Sequence, residues 1–236
     1  MYDVIIIGAG ISGATIAREI SKYKLKVIIL EKEFDVATEA TMANSAIVHS
    51  GHDPKPGSLK AKFNVIGNRM YKKMSTELDI PFMECGGMVV ATSKEENDLL
   101  AELYQRGLQN GLNETEIQLM TREEILELEP NISDFVMAGL HLPTTAVTFP
   151  FEAAIANIEN AMDNGVELAL ENKVLSISKE DVFTVHTTKK TYKGKVIINA
   201  TGIFGTDVAN LVTKASFETR ARRGEYYVLD KDVKVA

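Results

Sequence analysis

Near its start the chain reads YDVIIIGAGISG over residues 2–13. The apolar, β-branched run Tyr2–Ile7 is typical of a strand buried on both faces, as strands of parallel sheets are. Glycines in the pattern GxGxxG follow, and apolar residues then recur at helical spacing over Ile11–Lys22. A second buried strand is predicted at Lys26–Leu30. The opening of the chain therefore predicts a βαβ unit of an α/β fold.

Each glycine of this loop has a mechanical role. Gly8 allows the strand to turn sharply into the helix, and Gly10 leaves room for a pyrophosphate to approach the backbone. Gly13 allows the helix to pack closely against the strand. The first N–H groups of the helix, at Ile11 and Ser12, are unpaired in such a turn and attract phosphate oxygens.

Glu31 ends the second predicted strand, about 20 residues beyond the glycine loop, as in dinucleotide-binding sites. A carboxylate at this position accepts hydrogen bonds from a ribose diol and repels a 2′-phosphate. Glu31, with Lys32 beside it, therefore supports dinucleotide binding. The alternative is a glycine-rich turn in an unrelated α/β domain.

The choice between FAD and NAD depends on the segments after the second strand. A long irregular segment runs from Phe34 to Gly57, where a nicotinamide dehydrogenase would continue with further βαβ units. Much later the chain reads VIINATG over residues 196–202, which resembles the strand and Ala-Thr-Gly turn of FAD-containing oxidoreductases. We therefore predict FAD. A plain NAD-dependent dehydrogenase is the alternative, and it would bind nicotinamide without yellow colour.

Other elements follow from periodicity and capping residues. Helices are predicted at Leu59–Leu78, from Ser93 to about Gly111, from Thr121, at Phe151–Asn164 and near Thr206–Val212. Strands are predicted at Gly87–Thr92, Val136–Leu142, Val166–Leu170, Val174–Ile177, Val182–Thr187, Lys195–Asn199 and Glu225–Leu229. Phe63, Met70 and Met74 are expected in the core, and Cys85 is expected to be buried. No linker separates these elements, so a second domain has to interleave with the first.

Composition excludes several classes of protein. The chain has 236 residues, with Lys+Arg 26 against Asp+Glu 33 and a net charge of −7, a poor match for nucleic acid. A single Cys excludes a disulfide framework and a structural zinc site, and no metal site is predicted. No apolar run approaches the ~18–20 residues that span a bilayer. A soluble, cytoplasmic protein is expected.

Seven segments spread over the chain carry a resemblance to a known family. They are Gly8–Gly13, Glu31-Lys32, Ala43–Gly51, Pro56–Ala61, Cys85–Gly87, Glu129–Ile132 and Arg222–Tyr227. Together they resemble the FAD-dependent oxidoreductases of the D-amino-acid oxidase superfamily. The branch they resemble holds glycerol-3-phosphate dehydrogenases and L-2-hydroxyglutarate oxidases.

The resemblance implies a Rossmann-like FAD-binding domain interleaved with a β-sheet-rich α+β substrate domain. Residues 1–80 and 146–215 would form the FAD-binding domain. Residues 81–145 would belong to the substrate domain, and residues 216–236 would begin a second substrate-domain segment. Members of the family continue well past the last of these residues, so the chain resembles an N-terminal portion.

The resemblance also implies further cofactor contacts. Asn44 and Ser45 would lie beside the pyrophosphate, and His49 and Gly51 near the isoalloxazine ring. The remaining implied contacts are the Val174 backbone at the adenine, and Ala200, Thr201 and Gly202 closing over the cofactor.

His49 and Arg223 are the predicted catalytic residues. An imidazole suits removal of a hydroxyl proton, and in some relatives a histidine here is bonded to the flavin. His52 is the alternative base. The Arg223 guanidinium matches a carboxylate or phosphate, with Arg220 and Arg222 as competitors for that role.

The implied function is FAD-dependent oxidation of a secondary hydroxyl in a small anionic substrate, by hydride transfer to flavin N5. Glycerol 3-phosphate is favoured over L-2-hydroxyglutarate. Electrons would pass to a quinone, oxygen or a redox partner protein, with peripheral contact at the inner face of the membrane as one setting. The alternatives are an amine oxidase and an inactive FAD-binding fragment that needs a complementing C-terminal chain.

Overall fold

The structure, a computed structural model, describes residues 1–225. Its strands are β1 (Tyr2–Ile7), β2 (Val27–Leu30), β3 (Ile47–Val48), β4 (Phe82–Met83), β5 (Met88–Ala91), β6 (Gln118–Thr121), β7 (Ala138–His141), β8 (Ala146–Thr148), β9 (Glu167–Ala169), β10 (Val174–Lys179), β11 (Phe183–Thr187) and β12 (Thr191–Asn199). Its helices are α1 (Ile11–Ile20), α2 (Leu59–Glu77), α3 (Lys94–Gln109), α4 (Arg122–Leu128), α5 (Pro150–Asp163) and α6 (Gly205–Asn210). The strand predicted at Glu225–Leu229 lies outside the described residues, except for Glu225 itself.

Contacts within the chain divide the described residues into two compact units. The first unit consists of Met1–Ser45 and Phe149–Gly224, and the second contains Ala46–Thr148. The first unit is therefore assembled from two segments that are distant in sequence. This division places residues 46–80 in the second unit, whereas residues 1–80 were predicted to belong to the FAD-binding domain. The predicted domain boundaries remain predictions.

The first unit is built on a six-stranded sheet in the order β10-β11-β12-β1-β2-β9. Strands β12, β1, β2 and β9 run parallel, and β10, β11 and β12 pair antiparallel. Strand β1 lies between β2 and β12, with Val4 opposite Val27 and Val196. This sheet confirms the predicted α/β fold with a parallel core.

Alternating residues of β1 face opposite sides of the sheet, as the two-residue period of a strand requires. Val4 and Ile6 pack in one cluster with the small residues of α1 and α5. Ile5 and Ile7 pack on the other face with residues of β10, β11 and β12. Both faces are covered, which explains why this strand is apolar throughout.

The second unit contains two small antiparallel sheets, in the orders β3-β8-β4 and β5-β7-β6. Its core is formed by Val65 of α2 and aliphatic residues of α3, β5, β7 and the segment between α3 and β6. The predicted caps are present: the hydroxyl of Ser93 accepts the N–H of Glu96, and Thr121 and Glu124 form a reciprocal capping box. Among residues 1–225, no helix is long and apolar enough to cross a membrane.

The prediction that the apolar stripe of α2 lies in the core is wrong for Phe63 and Met70, whereas Met74 is partly buried. Phe63 is 58% exposed and Met70 is 60% exposed. The helix instead buries the opposite face, through Ala61, Val65 and Ser75. Those smaller residues allow α2 to lie close to its unit, so helical spacing identified the helix but not which face it buries.

Candidate functional site

A cleft of about 590 Å³ opens in the first unit, where β1 and β2 end. This is the edge of a parallel sheet at which nucleotide ligands bind. Most of the predicted cofactor contacts line it: Gly8, Gly10, Ile11, Ser12, Glu31, Lys32, Asn44, Val174, Ala200, Thr201 and Gly202. Residues that are far apart in the sequence are therefore brought to one site.

The glycine loop, Gly8–Gly13, has no room for side chains at two positions. Gly8 has φ +102°, and a Cβ there would lie 2.6 Å from the carbonyl oxygen of Ala200. A Cβ on Gly13 would lie 2.0 Å from the carbonyl oxygen of Gly8. Only glycine permits this close approach of β1, α1 and the turn after β12.

The N-terminus of α1 faces the cleft beside a residue that the sequence analysis missed. The Ile11 N–H donates to the hydroxyl oxygen of Thr41 at 3.0 Å, and Gly10 is close enough that a Cβ would lie 3.0 Å from the same oxygen. Thr41 is buried and lines the cleft. It belongs to the irregular segment after β2, where no periodicity or motif indicates which side chain reaches back to the helix.

The Glu31 carboxylate is held in place by two backbone donors. Its Oε2 accepts the Ala9 N–H at 2.7 Å and its Oε1 accepts the Glu33 N–H at 3.0 Å. The side chain is buried yet lines the cleft. A carboxylate has about four lone-pair sites, so both oxygens keep the capacity to accept further donors such as ribose hydroxyls.

Lys32 follows Glu31 and also lines the cleft, where the Glu39 and Glu33 carboxylates stabilise its charged form. Burial acts to lower the pKa of its ammonium, but hydrogen bonds to Glu39 and Glu33 outweigh burial and raise the pKa. The ammonium also lies 4.2 Å from the centre of the Phe204 ring, a cation–π contact. Glu39 and Phe204 line the cleft as well, and no motif or spacing in the sequence indicates either of them.

The turn after β12 forms one wall of the cleft. The Ala200 N–H donates to the Ile7 carbonyl at 2.9 Å, which ties the turn to the end of β1. The Thr201 hydroxyl donates to the Asn199 side-chain oxygen at 2.6 Å, and Gly202 adopts φ +55°. Val174 starts β10 and completes this wall.

Asn44 and Ser45 end the first segment of the first unit. The Asn44 amide donates to the carbonyls of Ala40 and Thr41, so it fastens the chain that carries the Thr41 hydroxyl. Ser45 is exposed and is not among the residues that line the cleft. Gly13 lies behind the loop, where it serves packing rather than contact with a ligand.

The predicted histidines belong to the second unit. His49 is exposed, whereas Gly51 is buried with φ +115°, and a Cβ there would lie 2.5 Å from the Val65 side chain. His52 is partly buried, with Nδ1 3.4 Å from the Ser50 hydroxyl. Burial lowers the pKa of His52; the Asp53 charge opposes this effect and His49 adds to it.

Arg223 is exposed at the end of the described residues, as are its predicted competitors. Arg220 makes an ion pair with Glu218 at 3.1 Å. The expectation that Cys85 is buried is wrong, because it is exposed with its thiol toward the Gly86 carbonyl. Within residues 1–225 no group of His, Cys, Asp or Glu side chains is placed to hold a metal ion.

A parallel sheet, a glycine loop at a helix N-terminus and an acid after the second strand define a Rossmann-like dinucleotide-binding protein. Residues 3–235 match the family described as DAO, FAD dependent oxidoreductase. The chain belongs to this family of enzymes. Membership confirms the predicted resemblance, and it confirms FAD rather than NAD as the cofactor.

Two curated relatives match nearly the whole of this chain. The chain is 44% identical to a glycerol 3-phosphate dehydrogenase of Caloramator mitchellensis, over 99% of this chain and 48% of that protein. It is 36% identical to an L-2-hydroxyglutarate dehydrogenase of Indibacter alkaliphilus, over 98% of this chain and 58% of that protein.

Among solved structures, the FAD-bound L-α-glycerophosphate oxidase of Mycoplasma pneumoniae matches with a TM-score of 0.86 and 33% identity. The match covers 92% of this chain and 58% of that one. The chain thus spans about half the length of the curated relatives it matches.

Proposed function

We propose that the cleft of the first unit binds FAD, and that the chain takes part in oxidising a secondary hydroxyl of a small anionic substrate. Glycerol 3-phosphate is the favoured substrate. The observation that carries the proposal is the convergence of the glycine loop, Glu31 and the turn after β12 on one cleft. Bound FAD supplies the two-electron oxidant.

The residues present suit the pyrophosphate and the adenosine ribose of this cofactor. Gly8 and Gly10 line the cleft at the N-terminus of α1, and because Gly10 has no side chain, a pyrophosphate can approach the backbone there. Glu31 is already oriented by the Ala9 and Glu33 N–H groups, so it accepts ribose hydroxyls without reorganising. The expectation that the Ile11 N–H is unpaired is wrong in this structure, because it donates to the Thr41 hydroxyl beside the same helix end.

Hydroxyl oxidation also requires a base for the hydroxyl proton, and His49 is proposed for that role. Since burial lowers the pKa of His52, its imidazole is neutral at physiological pH and is the second candidate. Arg223 is proposed to hold the anionic end of the substrate, because a guanidinium pairs with phosphate or carboxylate through two parallel hydrogen bonds.

Two relatives support the choice of substrate. Glycerol 3-phosphate is favoured because the 44% identical relative is a glycerol 3-phosphate dehydrogenase. L-2-hydroxyglutarate is the second candidate because of the 36% identical dehydrogenase. We also propose that the electron acceptor is a quinone, oxygen or a redox protein. Contact with the inner face of the membrane and a complementing C-terminal chain are further parts of the proposal.

The test is anaerobic flavin reduction. The chain is loaded with FAD and mixed with glycerol 3-phosphate, L-2-hydroxyglutarate or glycine while absorbance of the oxidised flavin is followed. Bleaching fastest with glycerol 3-phosphate is expected, and the His49→Asn variant should bleach about 10²–10⁴ times more slowly, the usual contribution of a general base. The His52→Asn variant should retain most of the rate.

Fastest bleaching with L-2-hydroxyglutarate or glycine would replace the substrate assignment. A larger loss in His52→Asn than in His49→Asn would transfer the base role to His52. FAD that stays oxidised with all three compounds would contradict turnover by this chain.

A further inference from the structure

The histidine segment, His49–Asp53, follows β3 and leads toward α2 without regular secondary structure, all within the described residues. Its backbone is nevertheless buried at Ser50 and Gly51, while His49 is exposed. A buried backbone without strand or helix partners needs other hydrogen-bond partners, of which side chains are one kind.

The C-terminal end of α3 supplies side chains that bond to the backbone of the histidine segment. The Asn110 amide donates one hydrogen bond to the Gly51 carbonyl at 2.9 Å and a second to the Pro54 carbonyl at 2.8 Å. Arg106, one turn earlier, donates to the Asp53 carbonyl at 3.1 Å. All three acceptors are backbone atoms, so these bonds set the path of the chain itself.

Packing presses the same segment from two sides. A Cβ on Gly107 would lie 3.6 Å from the Cα of His52, so α3 meets the segment closely at that point. On the other side, Gly51 lies against Val65 of α2, where a Cβ would come within 2.5 Å. The segment therefore has little freedom to shift while the Asn110 bonds are intact.

We propose that Asn110 is a positioning residue for the histidine segment. Its amide acts as a clamp on the backbone C-terminal to His49 and thereby sets the position of the His49 imidazole. The proposal rests on the proposed function, in which His49 takes the hydroxyl proton. Asn110 makes both bonds with its one –NH₂ group, so a single substitution removes them together.

The chain contains a matched control. Asn110 and Asn164 are the C-cap residues of α3 and α5, and each precedes a glycine with positive φ, at +100° for Gly111 and +91° for Gly165. Within residues 1–225, the Asn164 amide donates only to the Asn160 carbonyl of its own helix. Asn164→Ala therefore removes a helix-capping asparagine without touching the histidine segment.

The first experiment is amide hydrogen exchange on the full chain without cofactor, comparing the natural sequence with Asn110→Ala and Asn164→Ala. Loss of two hydrogen bonds in Asn110→Ala should accelerate exchange across His49–Asp53 by about tenfold or more, with no such change in Asn164→Ala. Histidine NMR titration is the second readout: the pKa of His52, lowered by burial, should rise toward its ordinary value only in Asn110→Ala.

With FAD bound, Asn110→Ala should keep its FAD affinity within about threefold and slow flavin reduction by about tenfold or more. Exchange across His49–Asp53 that is equal in all three proteins would overturn the proposal. A natural chain that binds no FAD would contradict the proposed function, while the exchange comparison would still decide the role of Asn110. Asn110→Asp, which keeps the shape of the side chain but removes both donors, is the second variant if Asn110→Ala does not fold, and unchanged exchange across His49–Asp53 in it would equally overturn the proposal.

Discussion

The glycine loop of the first unit and the histidine segment of the second are both tight stretches of backbone, but they are held in different ways. In the glycine loop, close contacts among Gly8, Gly13 and Ala200 leave no room for a Cβ. In the histidine segment, the path depends on the Asn110 and Arg106 side chains, which come from a helix more than 50 residues later. The first requires glycine at fixed positions, whereas the second is held by hydrogen bonds from distant side chains.

This difference explains which region a sequence motif identifies. The spacing of glycines reflects the geometry of the strand-to-helix turn, where Gly13 meets the Gly8 carbonyl, so the pattern is visible in the chain alone even though Gly8 also meets the distant Ala200. Hydrogen bonds from Asn110 to the Gly51 and Pro54 carbonyls impose no requirement on the residues that they hold, because the acceptors are backbone atoms. No spacing or periodicity in the sequence indicates such a clamp.

The largest expected effect comes from a single methyl group in the glycine loop. Gly13→Ala places a Cβ 2.0 Å from the Gly8 carbonyl oxygen, so β1 and α1 must separate, and we expect a loss of about 3 kcal/mol or more in unfolding free energy. Gly67→Ala, in the exposed middle of α2 with nothing within 4 Å, should gain up to about 1 kcal/mol. Urea unfolding of the three proteins measures both changes.

Equal stability of Gly13→Ala and Gly67→Ala would show that the glycine loop has room to relax. The contrast between a sterically specified loop and a side-chain-held segment would then fail.

The smaller expected effect concerns another side-chain bond in the second unit. Arg69 donates to both carboxylate oxygens of Glu116, at 3.1 and 2.8 Å, and this hydrogen bonding holds the pKa of Glu116 below its ordinary value of 4.5. A lowered pKa in the folded state stabilises the fold at pH above the unfolded value, and this contribution disappears as the pH falls through the folded-state pKa.

Glu116→Gln should therefore lose at most about 1 kcal/mol at neutral pH, since Arg69 is half exposed and solvent screens the pair. The variant and the natural chain should converge in stability as the pH falls below 4.5. Urea unfolding at a series of pH values tests this, with Glu127→Gln on the exposed face of α4 as the control. A constant difference at all pH values would exclude this ion pair as the cause.

Local patterns predicted much of the fold. The βαβ unit, the capped helix α3 and the late strand β12 all depend on periodicity or capping within one element, and each is present. Strands β4, β6 and β8 were not predicted, since they are two to four residues long and are stabilised by partners elsewhere in the second unit. The buried face of α2 also depends on its neighbours, which is why Phe63 and Met70 were misplaced.

The same distinction applies to the candidate site. Glu31 follows from its distance to the glycine loop, and the turn at Ala200 follows from its resemblance to a known motif. Thr41, Glu39 and Phe204 reach the cleft from irregular or distant parts of the chain, so only the folded structure shows them there. Spacing along the sequence says nothing about side chains that meet through the tertiary fold.

The most direct test of the central claim, that the cleft of the first unit binds FAD, is a fluorescence titration of the cofactor-free chain with FAD. Saturable quenching at one FAD per chain, not reversed by millimolar NAD and weakened strongly in Gly13→Ala, is the predicted result. Flavin fluorescence that stays unquenched, or quenching that NAD reverses at equal concentration, would contradict it.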